Sequence, residues 1–368
     1  MDALAITPGQ GSIHRVQRPE PDIEASDQVK IQVLQVGICG TDREEVAGGR
    51  AQAPVNQEEL IIGHEMLGRV VDVGDRVSRV STGDLAIFTV RRGCGHCPPC
   101  QMNRPDMCLT GDYRERGIKG LDGYQTEFVV DNEQYVVRVG DELQKVAVLA
   151  EPLSISEKAI GESVHVQAAR LPDAPLRPDW LENRRCLVAG IGAVGLLAAL
   201  ALRLRGASVY GLDIVDHDSP RPLWLEGIGG TYIDGRQVTP EKVDSAVGPM
   251  ELILEATGVA KLEFNLLDAL GPNGIYVLTG IPGGDRPLQI PGAELIRQLV
   301  LNNQLMMGSV NASRDHFQVA IDDLSHAEAN WPGAVQKLIT TRYSRDGYEQ
   351  AFTAQKSDTI KSIIEWAA

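Results

Sequence analysis

Residues 183–216, NRRCLVAGIGAVGLLAALALRLRGASVYGLDIVD, leave a fold the least choice of any stretch in this 368-residue chain. CLVAG reads as a short apolar strand ending on glycine. Gly190, Gly192 and Gly195 then space out as G-x-G-x-x-G, with Ile191, Ala193 and Val194 between them. AVGLLAALALRLRG has a helical pattern that stops at Gly206, and SVYGLD is a second strand ending at Asp213. Each glycine has its own steric task. Gly190 permits a tight turn, Gly192 lets backbone amides approach a pyrophosphate, and Gly195 lets the helix pack on the strand. The pyrophosphate sits at the positive end of that helix. The motif needs a strand before it, a helix after it and an acid about 20 residues on. Asp213, eighteen residues past Gly195, completes that context.

Asp213 can accept hydrogen bonds from the ribose hydroxyls of NAD and repels the 2′-phosphate of NADP. The residues that follow, IVDHDSPRP, add Asp216 and Asp218 before the first arginine, Arg221. NAD is therefore expected to be preferred over NADP. Later apolar runs at 250–258, 274–281 and 304–313 end in Thr257 and Gly258, in Thr279, and in Ser309 and Asn311. Such strand ends line the carboxyl edge of a parallel sheet, where the ligand crevice lies. They are assigned to cofactor binding.

The second constraint is RRGCGHCPPCQMNRPDMC, residues 91–108. Cys94, Cys97, Cys100 and Cys108 follow C-x2-C-x2-C-x7-C. The N-terminus MDALAITPGQ lacks a signal-peptide pattern, and no apolar run approaches the ~20 residues of a membrane span. A cytoplasmic location is expected, and a reducing compartment turns clustered cysteines into metal candidates rather than disulfides. Four sulfur ligands leave no open position, so the zinc expected here is structural. An iron–sulfur cluster fits poorly, because the fourth cysteine is distant and not followed by proline. A nucleic-acid-binding zinc module is the non-enzyme alternative. A net charge of −15 argues against it, and against anionic membranes. Glycines and prolines are expected to keep this segment out of helix and strand.

A catalytic zinc has three protein ligands and an open position. VGICGTD places Cys39 after an apolar strand, IIGHE places His64 and Glu65 in a glycine-flanked turn, and VLAEPLS offers Glu151 before Pro152. Together they suit a second, reactive zinc. Cys186 opens a strand and is expected to be a core residue without chemistry. Residues 1–150 read as β-rich, 157–170 as a helix, 171–180 as a connector, and the C-terminal run as a strand rejoining the first domain. The chain is too long for one core. The expected domains are 1–180 with 311–368, carrying the metals, and 181–310, carrying the dinucleotide.

Over nearly its whole length the chain resembles the zinc-dependent medium-chain alcohol dehydrogenases. The four-cysteine lobe matches that family's structural zinc, and CGTD and GHE match its catalytic zinc motifs. The resemblance implies an α/β architecture: a GroES-like β-rich catalytic domain and a Rossmann doubly wound parallel sheet. Many members place a second cysteine where this chain has Glu151 in EPLS, which resembles the polyol and sugar branch. CGTDREEVAGG, VRRGCGHCPPC, GDYRERGIKGLDGYQTEF, AEPLSISEK and GSVNAS resemble the glucose 1-dehydrogenases of the archaeal and bacterial zinc type. Those enzymes often use NADP, with arginines after the second Rossmann strand that this chain lacks there.

The resemblance implies oxidation of an aldose, D-glucose first, at C1 to its lactone. Thr41 would pass the substrate proton outward, and Asp42 would orient His64 through its second ring nitrogen. Glu65 and Glu151 would be oxygen ligands that exchange with water. Glu115, Glu151, Glu157 and Asn311 would meet the sugar. By the same resemblance the chain is a homodimer or homotetramer. The alternatives within the family are a sorbitol-type polyol dehydrogenase and an L-threonine dehydrogenase.

Overall fold

In the computed structural model, which describes residues 1–172, 178–283, 287–354 and 358–367, the alternating run QVKIQVLQVGI forms one long strand, Gln28–Ile38. Val29, Ile31, Val33 and Val36 are wholly buried, so the period-two pattern lays one face on a core. Three strands pair with it: Glu65–Val73, Phe128–Asn132 and Lys361–Glu365, all antiparallel. The resulting seven-stranded sheet runs Val136–Val139, Leu85–Phe88, Glu65–Val73, Gln28–Ile38, Lys361–Glu365 and Ile339–Ser344, with Phe128–Asn132 beside Gln28–Ile38. Ile31, Leu60, Ile62, Phe88 and Tyr124 are part of the core beneath it. The C-terminal strand rejoins this sheet, as its sequence implied. The cysteine segment departs from expectation. It contains the one-turn helix Pro98–Gln101 and the strand Arg91–Arg92. Pro98 opens that helix at a position where a missing N–H costs nothing.

The dinucleotide fingerprint folds as read. Arg185–Ala189 is a strand, Ala193–Leu204 a helix and Ser208–Asp213 a strand. Six parallel strands run in the order Thr231–Asp234, Ser208–Asp213, Arg185–Ala189, Met250–Glu255, Leu270–Leu278 and Leu305–Gly308. Strand order reverses between Arg185–Ala189 and Met250–Glu255, which puts the ligand crevice at their carboxyl ends. Cys186 is fully buried in the first of these strands, and burial raises its thiol pKa. The strand Thr231–Asp234 was not anticipated. Four residues between Gly230 and Gly235 are too few for a periodic signal.

The chain divides into two units: Met1–Ser154 with Asn311–Ser325 and Val335–Ala368, and Ile155–Val310 with His326–Ala334. The expected helix at 157–170 begins earlier, at Ala150, because Pro152 is tolerated in a first turn. Most of this helix belongs to the second unit rather than the first. Ser156 Oγ donates to Val194 O, Lys158 Nζ to Val310 O and Gln167 Nε2 to Asn273 O. Of the connector expected at 171–180, residues 173–177 lie outside the described residues. No described helix is long and apolar enough to cross a membrane.

Candidate metal and cofactor sites

Cys39 is the N-cap of the helix Gly40–Val46, and its Sγ accepts from Thr41 N at 3.2 Å. Asp42 reaches back to accept from Cys39 N at 2.8 Å, which closes a reciprocal cap. His64 lies between Gly63, at φ 90°, and the strand that begins at Glu65. Gly37 sits opposite Glu65 in the sheet register. A Cβ on Gly37 would fall 1.9 Å from Glu65 Oε2, so only glycine leaves the carboxylate its place. Cys39 Sγ and His64 Nε2 are 3.1 Å apart, and the ligand atoms of Cys39, His64 and Glu65 all lie within 4.8 Å of one another. Asp42 Oδ1 is 3.3 Å from His64 Nδ1.

One sulfur, one imidazole and one carboxylate, with a second carboxylate behind the imidazole, is a donor set that fits zinc. Glu151 is not among the three clustered side chains. Burial, with the charge of Glu65, raises its pKa to about 7 against the pull of His64. Thr41 is half-buried beside Cys39.

Two groups here escaped the sequence. Lys361 Nζ lies 2.7 Å from both oxygens of Glu65 and is buried. A lysine opening the apolar strand KSIIE was the available signal, but Glu65 lies 296 positions earlier. Glu45 is 1% exposed, and neither of its oxygens has a hydrogen-bond partner among the described residues. Burial, with the neighbouring Asp42 charge, raises its pKa to about 8.

That value fixes a sign. The unfolded chain ionises Glu45 near its ordinary pKa while the fold keeps it neutral. The stability its protonated form contributes is therefore complete below the ordinary value and is lost as pH rises toward 8. At roughly 1.4 kcal/mol per pH unit the loss at pH 7 is about 3 kcal/mol. Glu45→Gln is expected to unfold at about the same denaturant concentration as the parent at pH 4 and at a clearly higher one at pH 8. Equal midpoints at both pH values would refute this.

Cys94, Cys97, Cys100 and Cys108 bring their sulfurs within 4.8 Å of one another. Cys94 and Cys100 stand 3.9 Å apart, and all six cysteines of the chain are free thiols. Gly93 packs against Cys100, where a Cβ would meet the sulfur at 2.3 Å. Four thiols this crowded cannot all ionise without a cation among them. Zinc satisfies that demand.

Glu115 and Asn311, 196 positions apart, are brought together. Asn311 Nδ2 donates to Glu115 Oε1 at 2.8 Å. Arg91 donates to the same oxygen through Nε and Nη2 at 3.0 and 2.9 Å, and its guanidinium lies 4.0 Å from the Tyr113 ring centre. Glu157 belongs to the second unit, where it pairs with Arg205 at 2.6 Å.

The glycine loop behaves as its spacing demands. Gly190 has φ 86°, and a Cβ on Gly195 would lie 1.9 Å from Gly190 O. A Cβ on Gly192 would meet nothing within 4 Å, so that side of the turn is open. Among the described residues no side chain caps the helix Ala193–Leu204, which leaves its first amides, beginning with Ala193 and Val194, to an anion. Asp213 Oδ2 accepts from Ile191 N at 2.9 Å and Oδ1 from Ile214 N at 2.7 Å. These features fit a dinucleotide.

Glu255, which no sequence motif marks, ties the next loops together. Its Oε1 accepts from Thr257 N at 2.5 Å and Gly258 N at 3.0 Å, and its carbonyl accepts from the Thr279 hydroxyl at 2.6 Å. Ser309 N donates to Leu278 O. Asn311, assigned to the cofactor as well as the sugar, lies in the first unit.

A reversing six-stranded parallel sheet, and a separate β-rich unit holding a four-cysteine cluster and a cysteine–histidine–carboxylate cluster, define a zinc-type medium-chain dehydrogenase. Residues 25–141 match the family described as the alcohol dehydrogenase GroES-like domain, and 144–366 the glucose dehydrogenase C-terminus. The chain belongs to the glucose dehydrogenase family. It is 37% identical to the glucose 1-dehydrogenase of Methanocella arvoryzae, covering 100% of both chains. It is 37% identical to that of Thermoproteus tenax, covering 99% of both. The solved glucose dehydrogenase of Haloferax mediterranei, in complex with NADP, zinc and gluconolactone, superposes at a TM-score of 0.89 with 32% identity over 100% of both chains.

Proposed function

We propose that the chain oxidises an aldose, most specifically D-glucose, at C1 to the lactone, with a nicotinamide cofactor as hydride acceptor. The observation that carries this is the Cys39–His64–Glu65 cluster with Asp42 behind the imidazole, in a chain of this family. Bound there, zinc supplies Lewis acidity to the reacting hydroxyl, and the nicotinamide takes the hydride. Everything else falls to the chain's own residues. Asp42 holds the His64 ring in one tautomer. Thr41 takes the hydroxyl proton and passes it outward. Lys361 fixes the Glu65 carboxylate, and Glu151 stands by as a further oxygen donor or sugar contact. Glu115 and Asn311, already hydrogen-bonded to each other, present fixed polar atoms to sugar hydroxyls.

Cys94, Cys97, Cys100 and Cys108 hold a second zinc that does no chemistry. The glycine loop carries the pyrophosphate. Asp213 takes the ribose hydroxyls, which favours NAD over NADP. Homo-oligomer formation is supported by Ile296, Val300 and Leu301, exposed apolar residues on the helix Gly292–Leu301 beside the sheet-edge strand Leu305–Gly308. Six free thiols suit the cytoplasm.

The test is reduced-cofactor formation with glucose, galactose, xylose, sorbitol and L-threonine, each with NAD and NADP, before and after chelation. Lactone formation from an aldose, lost with the chelator and restored by zinc, is expected. Oxidation of sorbitol or threonine with no aldose turnover would overturn the reading.

A further inference from the structure

The sequence offered no arginine close behind Asp213, but the fold supplies one from the neighbouring strand. Parallel pairing sets Asp213 beside Asp234, and Gly235 N donates to Asp213 O at 2.8 Å. Tyr232 adds a hydroxyl to the carbonyls of Asp213 and Val215, at 3.1 and 2.6 Å. The turn after Thr231–Asp234 is thereby stitched to residues 213–215, and Arg236 leans across them. Its Nε and Nη2 donate to the two oxygens of Asp234 at 2.9 and 2.8 Å. Nη2 also reaches Val215 O at 3.2 Å, and Nη1 donates to Asp216 Oδ1 at 2.7 Å.

An acid at the end of this second strand takes the ribose hydroxyls, and a 2′-phosphate, where one is bound, is met by an arginine nearby. Asp234 holds the guanidinium side-on in a fixed fork, so its outward edge is aimed without further ordering. That edge is occupied by Asp216. The Arg236–Asp216 pair is solvent-exposed at both ends, 48% and 74%, so breaking it costs the fold little.

We propose that Arg236 is a latent ligand for a 2′-phosphate, kept from that role by Asp216, and that Asp216 therefore sets cofactor discrimination at this site. The inference rests on the dinucleotide reading of the second unit. Removing Asp216 frees Nη1 and deletes a negative charge facing the phosphate. Removing Arg236 as well separates those two effects.

The experiment is calorimetric titration of the full chain with adenosine 5′-diphosphate and adenosine 2′,5′-bisphosphate. The proteins are the parent, Asp216→Ala, Asp216→Asn, Arg236→Ala and the Asp216→Ala/Arg236→Ala double variant. The parent should bind the 5′-diphosphate more tightly. Both Asp216 variants should bind the 2′,5′-bisphosphate about tenfold more tightly than the parent does, the size of one charge-assisted hydrogen bond. Their affinity for the 5′-diphosphate should stay within about twofold of the parent's. The double variant should lose the gain, and Arg236→Ala alone, which leaves Asp216 unpaired, should bind the 2′,5′-bisphosphate no more tightly than the parent does. An unchanged 2′,5′-bisphosphate affinity in the Asp216 variants, or a gain that survives without Arg236, overturns the inference while leaving the dinucleotide site intact. A parent that binds neither probe overturns the dinucleotide reading and this inference with it.

Discussion

Cys39→Ser is expected to lower glucose oxidation by about 10³-fold or more while leaving the fold in place. The size follows from what the site contributes. Lewis-acid stabilisation is worth several kcal/mol, and each 1.36 kcal/mol is a factor of ten in rate. A serine hydroxyl stays protonated where the cysteine sulfur would bind as thiolate, so the three-donor set loses its softest member. The fold survives for a local reason. Cys39 caps the helix Gly40–Val46 through its sulfur, and serine is among the best residues at that position. The paired readouts are kcat and bound zinc per chain. Both should fall, with an unchanged far-ultraviolet circular dichroism spectrum. Full activity in a variant that has lost this zinc would refute the assignment.

Cys100→Ser should do the reverse. Cys100 lies on the one-turn helix Pro98–Gln101, with Gly93 packed against its sulfur. Three thiolates cannot close a tetrahedral cage, and a structural zinc contributes folding free energy directly. A loss of about 3 kcal/mol would lower the melting temperature by roughly 4 °C in a chain of 368 residues, at about 2.1 cal/mol/K of unfolding entropy per residue. Initial turnover at low temperature should fall far less than in Cys39→Ser. Equal melting temperatures for parent and variant, each loaded with zinc, would contradict a structural role for this lobe.

What the sequence made legible was what neighbours along the chain decide. The glycine spacing, the helix behind it and Asp213 are local, and they fold as read. The cysteine lobe is local too, and its four sulfurs converge. Cys39 and His64 were found because each sits in a short motif, although 25 positions separate them. What stayed hidden depends on sheet register. Lys361 reaches Glu65 only because the last strand pairs with Gln28–Ile38, which in turn pairs with Glu65–Val73. Arg236 reaches the loop after Asp213 only through the four-residue strand Thr231–Asp234. Glu255 and Glu45 gave no motif at all, since a buried acid and an exposed one look alike in sequence.

The helix start moved from 157 to 150 because Pro152 reads as a breaker yet is tolerated in a first turn. Glu157, expected to meet the sugar, belongs to the second unit and pairs with Arg205 there.

The measurement that bears most directly on the account is anomalous diffraction at the zinc edge from crystals of fully active protein. Two peaks are predicted for each chain, one among Cys94, Cys97, Cys100 and Cys108, the other among Cys39, His64 and Glu65. Active protein with a peak in the cysteine lobe alone would contradict it.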